Sequence, residues 1–141
     1  MALICDTGGV YAMHDADDPH HAAVKFVVEV ELGPLLLPVI LLAEIDYLLT
    51  SRLGVDAALD FLDSVERGAF ALVSPSVEDI VRCRELIVQY RDLNVGLADA
   101  SAVATAERLG IQRLLTVDQR HFRAITPRHL SHFILLPADA Q

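Results

Sequence analysis

Four acidic residues of this chain, Asp6, Glu44, Asp99 and Asp118, have positions from which carboxylates can act together. Leu3-Ile4-Cys5 is a short apolar run that reads as a buried strand, and Asp6 stands at its C-terminal end. Arg113 to Val117 reads as another buried strand, with Asp118 directly after it. Open parallel sheets bind ligands outside the carboxyl ends of their strands, so the two aspartates can share one edge. Asp99 falls in the first turn of a helix that Gly110 should stop, where free N–H groups and the macrodipole favour a carboxylate. Helical steps from it reach Ala102, Val103, Ala106 and Gly110, a small apolar stripe with Asp99 at its head. A carboxylate there is costly without a partner. Taken singly, each aspartate also fits an ordinary role as a cap or turn residue.

Gathered together, such acids repel and their pKa values rise. The set reads as oxygen-only, a donor chemistry that suits Mg²⁺ or Mn²⁺. Paired divalent ions stabilise both the attacking and the leaving oxygen of a phosphodiester cleavage. Glu44 can join from a helix that Pro38 opens and Gly54 stops, apolar nearly all round and so expected to be buried on most sides. Asp46 lies on the same helix. Glu44 shares a face with Ile40, Leu41, Tyr47 and Leu48; Asp46 shares the opposite one with Leu42, Ala43, Leu49 and Thr50. Residues two apart cannot both enter one site, and periodicity does not choose between them.

The remaining elements must carry these residues to one place. Thr7-Gly8-Gly9 reads as a tight turn. Asp18-Pro19 reads as a helix start running to Gly33-Pro34, and His20-His21 within it point about 100° apart, a poor metal pair. Leu35 to Leu37 and Phe70 to Val73 read as strands, Val55 to Arg67 as an amphipathic helix. Ser76-Val-Glu-Asp79 opens a helix to Tyr90 with Ile80, Cys83, Ile87 and Tyr90 inside. Arg120-His-Phe-Arg123 should form a short turn or helix with Phe122 inward, and Phe133 to Leu136 a last strand. Strands alternating with helices predict an α/β sandwich around a mostly parallel central sheet, as a single domain over residues 1–141.

Composition bounds the function. Hydrophobic residues make up 53%, which argues against disorder and leaves apolar surface to spare, notably on Ala22 to Val30 and Ile40 to Leu49. A second copy or a partner helix should cover about 1,200 Å² or more of it. The net charge is −9, with −10 carried by residues 1–66 and +1 by residues 67–141, so bulk charge excludes nonspecific nucleic-acid binding. Contact with nucleic acid needs metal ions or a local patch, for which Arg113, Arg120, His121, Arg123, Arg128, His129 and His132 are the candidates. No run is long enough to span a bilayer, and Met-Ala-Leu-Ile-Cys-Asp lacks the features of a signal peptide. Cys5 and Cys83 suit a reducing compartment, so a cytoplasmic location is expected.

Leu-Ile-Cys-Asp6-Thr, Pro-Val-Ile-Leu-Leu-Ala-Glu44-Ile-Asp-Tyr-Leu-Leu, Leu-Ala-Asp99-Ala and Leu-Leu-Thr116-Val-Asp118 followed by Arg-His-Phe122 stand in order along nearly the whole chain. In these motifs the chain resembles PIN-domain proteins, and more narrowly toxin ribonucleases of the VapC type. The resemblance implies a PIN-like three-layer sandwich and a Mg²⁺- or Mn²⁺-dependent endoribonuclease. It also implies a homodimer held inactive by a cognate antitoxin. It carries the metal-holding, catalytic acids onto Asp6, Glu44, Asp99 and Asp118, with Thr116 as an accessory water or metal neighbour; from the basic patch, Arg120 and Arg123 are the candidates for RNA contact. One departure is Gly8-Gly9, where the family often has a small polar residue after Asp-Thr. A receiver-type signalling domain would need a lysine at a late strand end, and Lys25 is the only lysine. A phosphatase with Asp-x-Asp after the first strand is excluded by Gly8. The remaining rival is a PIN scaffold that binds RNA or protein without cutting, against which the presence of all four acids speaks.

Overall fold

The computed structural model describes residues 1–140; Gln141 lies outside them. The described residues contain the strands β1 (Leu3–Cys5), β2 (Leu35–Pro38), β3 (Ala71–Val73), β4 (Arg113–Leu115) and β5 (Ile134–Leu136). They form one sheet in the order β3-β2-β1-β4-β5, with every pairing parallel. The chain builds outward from β1 to β3, then returns across the sheet to place β4 on the other flank of β1. The topological switch point therefore falls between β1 and β4, where parallel sheets open a ligand crevice.

Strand alternation divides the interior in two. Leu3, Cys5 and Leu115 point into a core built with α1 (Thr7–His14), α2 (His21–Val30), α3 (Leu42–Leu53) and α4 (Val55–Glu66). Ile4 and Leu114 point into a second core with α5 (Val77–Gln89), α6 (Leu97–Leu109) and the Phe122 of α7 (Gln119–Ala124). The result is the expected three-layer α/β sandwich. Ion pairs from Arg82 to Glu107 (2.7 Å) and from Arg108 to Asp79 (2.9 Å) pin α5 to α6. Another, between Arg113 and Glu31, ties the start of β4 to the end of α2.

Several local expectations are corrected. Thr7-Gly8-Gly9 is not a tight turn: α1 begins at once after Asp6, whose carbonyl accepts from Val10 N at 3.0 Å. The glycines serve packing instead. A Cβ on Gly9 would lie 2.5 Å from the Leu115 carbonyl oxygen, and one on Gly8 would lie 2.8 Å from Val117 Cγ2. Asp18-Pro19 closes a turn in which the Asp18 side chain accepts from His20 N at 2.8 Å, and α2 starts only at His21. Pro38 ends β2, and a 3-10 turn, Val39–Leu41, comes before α3. β4 stops at Leu115, because Asp118 N turns back to the Thr116 hydroxyl at 3.0 Å. α3 is buried along the single stripe Leu41, Ile45 and Leu49, leaving Ala43, Glu44, Asp46, Tyr47 and Thr50 exposed. On α5 the inner face holds Asp79, Cys83 and Leu86, while Ile80 is exposed, because Asp79 is drawn in by the capping box with Ser76 and by Arg108.

The close approach of α1 to β4 yields a test. The Leu115 carbonyl cannot retreat from a Gly9 methyl without loosening its bond from Asp6 N, now 2.9 Å. Gly9→Ala should therefore lose about 1–3 kcal/mol of stability in urea denaturation, the range for overpacking. Gly8→Ala, which meets only the tip of a valine, should lose less; equal stability of Gly9→Ala and parent would show that the approach is no constraint.

Candidate metal centre

Asp6, Glu44, Asp99 and Asp118 all line one cleft of about 270 Å³ at the switch point. Asp6 arrives from the end of β1, Glu44 from the first turn of α3, Asp99 from the first turn of α6 and Asp118 from the loop after β4. Larger hollows of about 680 and 570 Å³ lie beside Met1 and Arg113, lined mostly by apolar side chains and remote from this chemistry. Asp46 does not line the cleft, so the choice that periodicity left open between it and Glu44 is made by the side of α3 that faces Asp99.

Asp6 is the most buried of the four, 4% exposed. The Thr116 hydroxyl donates to its Oδ2 at 2.9 Å and accepts from Asp118 N at 3.0 Å, so one side chain links two of the acids. Thr116, 1% exposed, sits behind the cleft rather than in it. Burial first, and the charge of Asp99 second, push the Asp6 carboxyl up to about 7 from an ordinary 3.8, with the Thr116 bond pulling the other way. Asp99 is also raised, chiefly by burial, although its bond to His121 opposes the shift and Asp118 and Glu44 add to it.

His121 is the residue that sequence reasoning misplaced. The sequence alone groups it with a basic surface patch and leaves the acids as an oxygen-only set. In the fold its Nδ1 donates to Asp99 Oδ2 at 2.6 Å and approaches Asp118 Oδ2 at 3.0 Å, while its Nε2 donates to the Leu93 carbonyl at 2.7 Å. Acceptors on both ring nitrogens hold the imidazole in its doubly protonated form. Burial opposes that charge, but the bond to Asp99 and the charges of Asp118 and Asp99 outweigh it and raise the pKa. The signal lay in Asp118-x-x-His121: Asp118 caps α7 by accepting from His121 N at 3.1 Å, and one helical turn returns the ring to its cap. The rest of the patch disperses. Arg113, Arg123 and Arg128 pair with Glu31, Asp139 and Glu85, and His129 meets the Ile111 carbonyl. Arg120 stays exposed on α7.

The donor set fits a hard divalent cation. Atoms of Asp99, Asp118 and His121 lie within 4.8 Å of one another, and with both ring nitrogens of His121 donating, the lone pairs offered to a cation there are those of the two carboxylates. The Thr7 hydroxyl beside Asp6 is buried with no hydrogen-bond partner among the described residues, as a group facing an ion's water shell would be. Burial, with the charge of Asp99 beside it, lifts Asp6 to about 7, and such a carboxyl is served by positive charge close by.

An all-parallel sheet with carboxylates converging at its switch point defines an α/β protein with an acidic cleft at the sheet edge. The chain belongs to the PIN domain family, which matches residues 3–126. It is 35% identical over 135 residues to "Ribonuclease VapC26" of Mycobacterium tuberculosis, a match covering 96% of this chain and 100% of that protein. The fold is shared with the crystal structure of VapC20 of the same organism, described as a sarcin-ricin loop cleaving toxin. That match has a TM-score of 0.80 at 20% identity, over 92% of this chain and 98% of the other. VapBC2 from Rickettsia felis, bound to a DNA fragment from its promoter, matches with a TM-score of 0.68 at 15% identity, over 96% and 97% of the chains.

Metal-free stability should depend on pH through these groups. Asp6, Asp99 and His121 have raised pKa values, so the folded state keeps protons that the unfolded chain releases. For Asp6 that contribution is full below 3.8 and is lost as pH rises through about 7. In chelator, the parent's melting temperature should fall between about pH 5 and pH 8. Asp6→Asn cannot make that buried charge and should melt higher than the parent at pH 8 by about 3 °C or more, with little gain at pH 5. Asp99→Asn should gain less, since it strips His121 of its partner. Parallel pH profiles for parent and Asp6→Asn would show that Asp6 bears no such strain.

Proposed function

We propose that this protein is a divalent-metal-dependent endoribonuclease and the toxin of a toxin–antitoxin pair. The observation that carries the reading is the convergence of Asp6, Glu44, Asp99 and Asp118 on one cleft at the switch point. The relative that is a ribonuclease matches over its whole length and supports RNA as the substrate. Mg²⁺ or Mn²⁺ held by these acids would activate the attacking water and stabilise the leaving oxygen of an RNA phosphodiester.

The protein's own groups prepare the place. Thr116 fixes one oxygen of Asp6 and couples it to the backbone of Asp118. His121 holds Asp99 and Asp118 at a set spacing and balances part of their charge. Glu44, exposed on α3, closes the cleft from the opposite wall. Exposed Arg120 is free to meet the RNA backbone; Arg123 is tied to Asp139 and contributes less. The cognate antitoxin and a second copy of this chain have surface to cover: Phe26, Val30 and Leu32 on one side, and Tyr47, Val55 and Leu59 on α3 and α4. No helix of the described residues is long and apolar enough to cross a membrane, in keeping with a toxin acting on RNA in the cytoplasm.

Purified protein should cut RNA in Mn²⁺ or Mg²⁺ and stop in chelator. Asp6→Asn, Glu44→Gln, Asp99→Asn and Asp118→Asn should each lose more than about 100-fold in rate, beyond the range typical of outer partners. Asp46→Asn should cut as the parent does. Full activity in any of the four amides, or a dead Asp46→Asn, overturns the assignment. Thr116→Val should weaken Mn²⁺ binding, measured by calorimetry, by roughly 10–100-fold, with Thr116→Ser near the parent; unchanged affinity in the valine variant would leave Thr116 with a packing role alone.

A further inference from the structure

The carboxylates that line the cleft, Asp18 among them, repel an RNA backbone, and a single basic side chain stands against them. Arg52, in the last turn of α3, lines the same cleft and is the only basic side chain to do so among the described residues. Glu44, Leu48 and Arg52 follow at steps of four, so one stripe of α3 faces the cleft with an acid at its head and a base at its foot. Eight residues of helix separate the two by about 12 Å. Arg52 therefore stands well clear of the bond that the acids would act on.

Its setting distinguishes it from the arginines that build the fold. Arg82, Arg108 and Arg113 are each taken up by a carboxylate on another element. Arg52 makes no ion pair among the described residues; its guanidinium instead rests 5.0 Å from the centre of the Tyr11 ring. Tyr11 is 6% exposed and is itself anchored, its hydroxyl donating to Asp15 Oδ2 at 2.6 Å. An aromatic face restrains a guanidinium without consuming its N–H donors. What results is an exposed guanidinium at the rim of an anionic cleft, held by the Tyr11 ring and drawn also by the Tyr11 hydroxyl and the Asp15 charge, with its remaining donors facing solvent.

We propose that Arg52 is a phosphate-binding residue that holds a flanking phosphate of the RNA, positioning the strand along α3 so that the bond to be cut lies over the four acids. A guanidinium fork matches phosphate oxygens, and a cation at one end of an otherwise negative groove sets which way the strand enters. The inference rests on the RNA-cleaving reading of the cleft.

The test uses the full chain in Mn²⁺ with a labelled pool of short RNAs, single-stranded and hairpin, followed by fluorescence anisotropy and by steady-state cleavage. Arg52→Ala should bind about tenfold or more weaker, as loss of a charge-assisted hydrogen bond implies, and show it as a raised KM with kcat less affected. The slope of log affinity against log salt should become shallower by about 0.7. Arg52→Lys, which keeps the charge and loses the fork, should retain the parent's slope with intermediate affinity. Arg67→Ala, which removes an exposed charge paired with Asp63 on α4, should behave as the parent. The Mn²⁺-induced rise in melting temperature should be no smaller in Arg52→Ala than in the parent. If Arg52→Ala matches Arg67→Ala in affinity and slope, or if its Mn²⁺ shift shrinks, Arg52 is not a phosphate-binding residue. A parent that binds and cuts RNA beside an indifferent Arg52→Ala overturns this inference alone; a parent that neither binds nor cuts the pool overturns the ribonuclease reading with it.

Discussion

The seam between the ends of β1 and β4 is the constraint on which the rest depends. Asp6 N bonds to the Leu115 carbonyl, Gly9 leaves that carbonyl room, and the Thr116 hydroxyl crosses to the Asp6 carboxylate. These contacts join residues more than a hundred positions apart within the space of a few bonds. They exist because the chain returns across the sheet to set β4 beside β1, which leaves the crevice at that junction uncovered. A longer side chain at position 9 would push α1 off the strand end and move Asp6 with it. The two glycines that interrupt the family pattern after Asp6-Thr7 are therefore part of the site's geometry, although neither supplies a ligand atom.

Charge is the second constraint. Water cannot solvate Asp6 at its depth, and its neighbours are further carboxylates. The protein meets this in two ways. The Thr116 hydroxyl and the backbone N–H of Thr7 favour the ionised form of Asp6, and the His121 ring lies between Asp99 and Asp118, whose charges favour its protonated form. Neither fully offsets the repulsion, which is why Asp6 stays raised. A site left short of positive charge in this way is poised to bind cations, and it resists an unescorted polyanion. Arg52 at the far end of α3 answers the second of these difficulties in the same cleft.

The helices divide their work accordingly. α5 and α6 are locked by Arg82–Glu107 and Arg108–Asp79 into a rigid back layer, and α6 presents Asp99 from a helix buried from Ala100 to Ala106. The front layer is looser at its surface. α3 and α4 bury one stripe each and leave Tyr47, Leu53, Val55, Leu59 and Leu62 in solvent. An apolar exterior next to an acidic cleft fits a protein that works, or is restrained, in company.

By itself the sequence determined the alternation of strands and helices, the identity of the strands, and the placing of Asp6, Asp99 and Asp118 at element ends, while Glu44 and Thr116 entered only through the family resemblance. The former features follow from local rules: apolar runs of strand length, Gly110 as a helix stop, and aspartates at element ends. It could not choose between Glu44 and Asp46, because a helix that reads as apolar all round has no preferred face until its neighbours are known. It placed His121 on a basic surface and passed over Arg52, because both depend on what stands opposite them: Asp99 is 22 residues from His121 in sequence, and Tyr11 is on a different helix from Arg52. It mistook Thr7-Gly8-Gly9 for a turn, since glycine's signature is the same whether it bends a chain or lets one backbone approach another. Only the tertiary structure decided these points, because charge pairing and steric clearance are properties of contacts across the sheet and cannot be read from one stretch of chain.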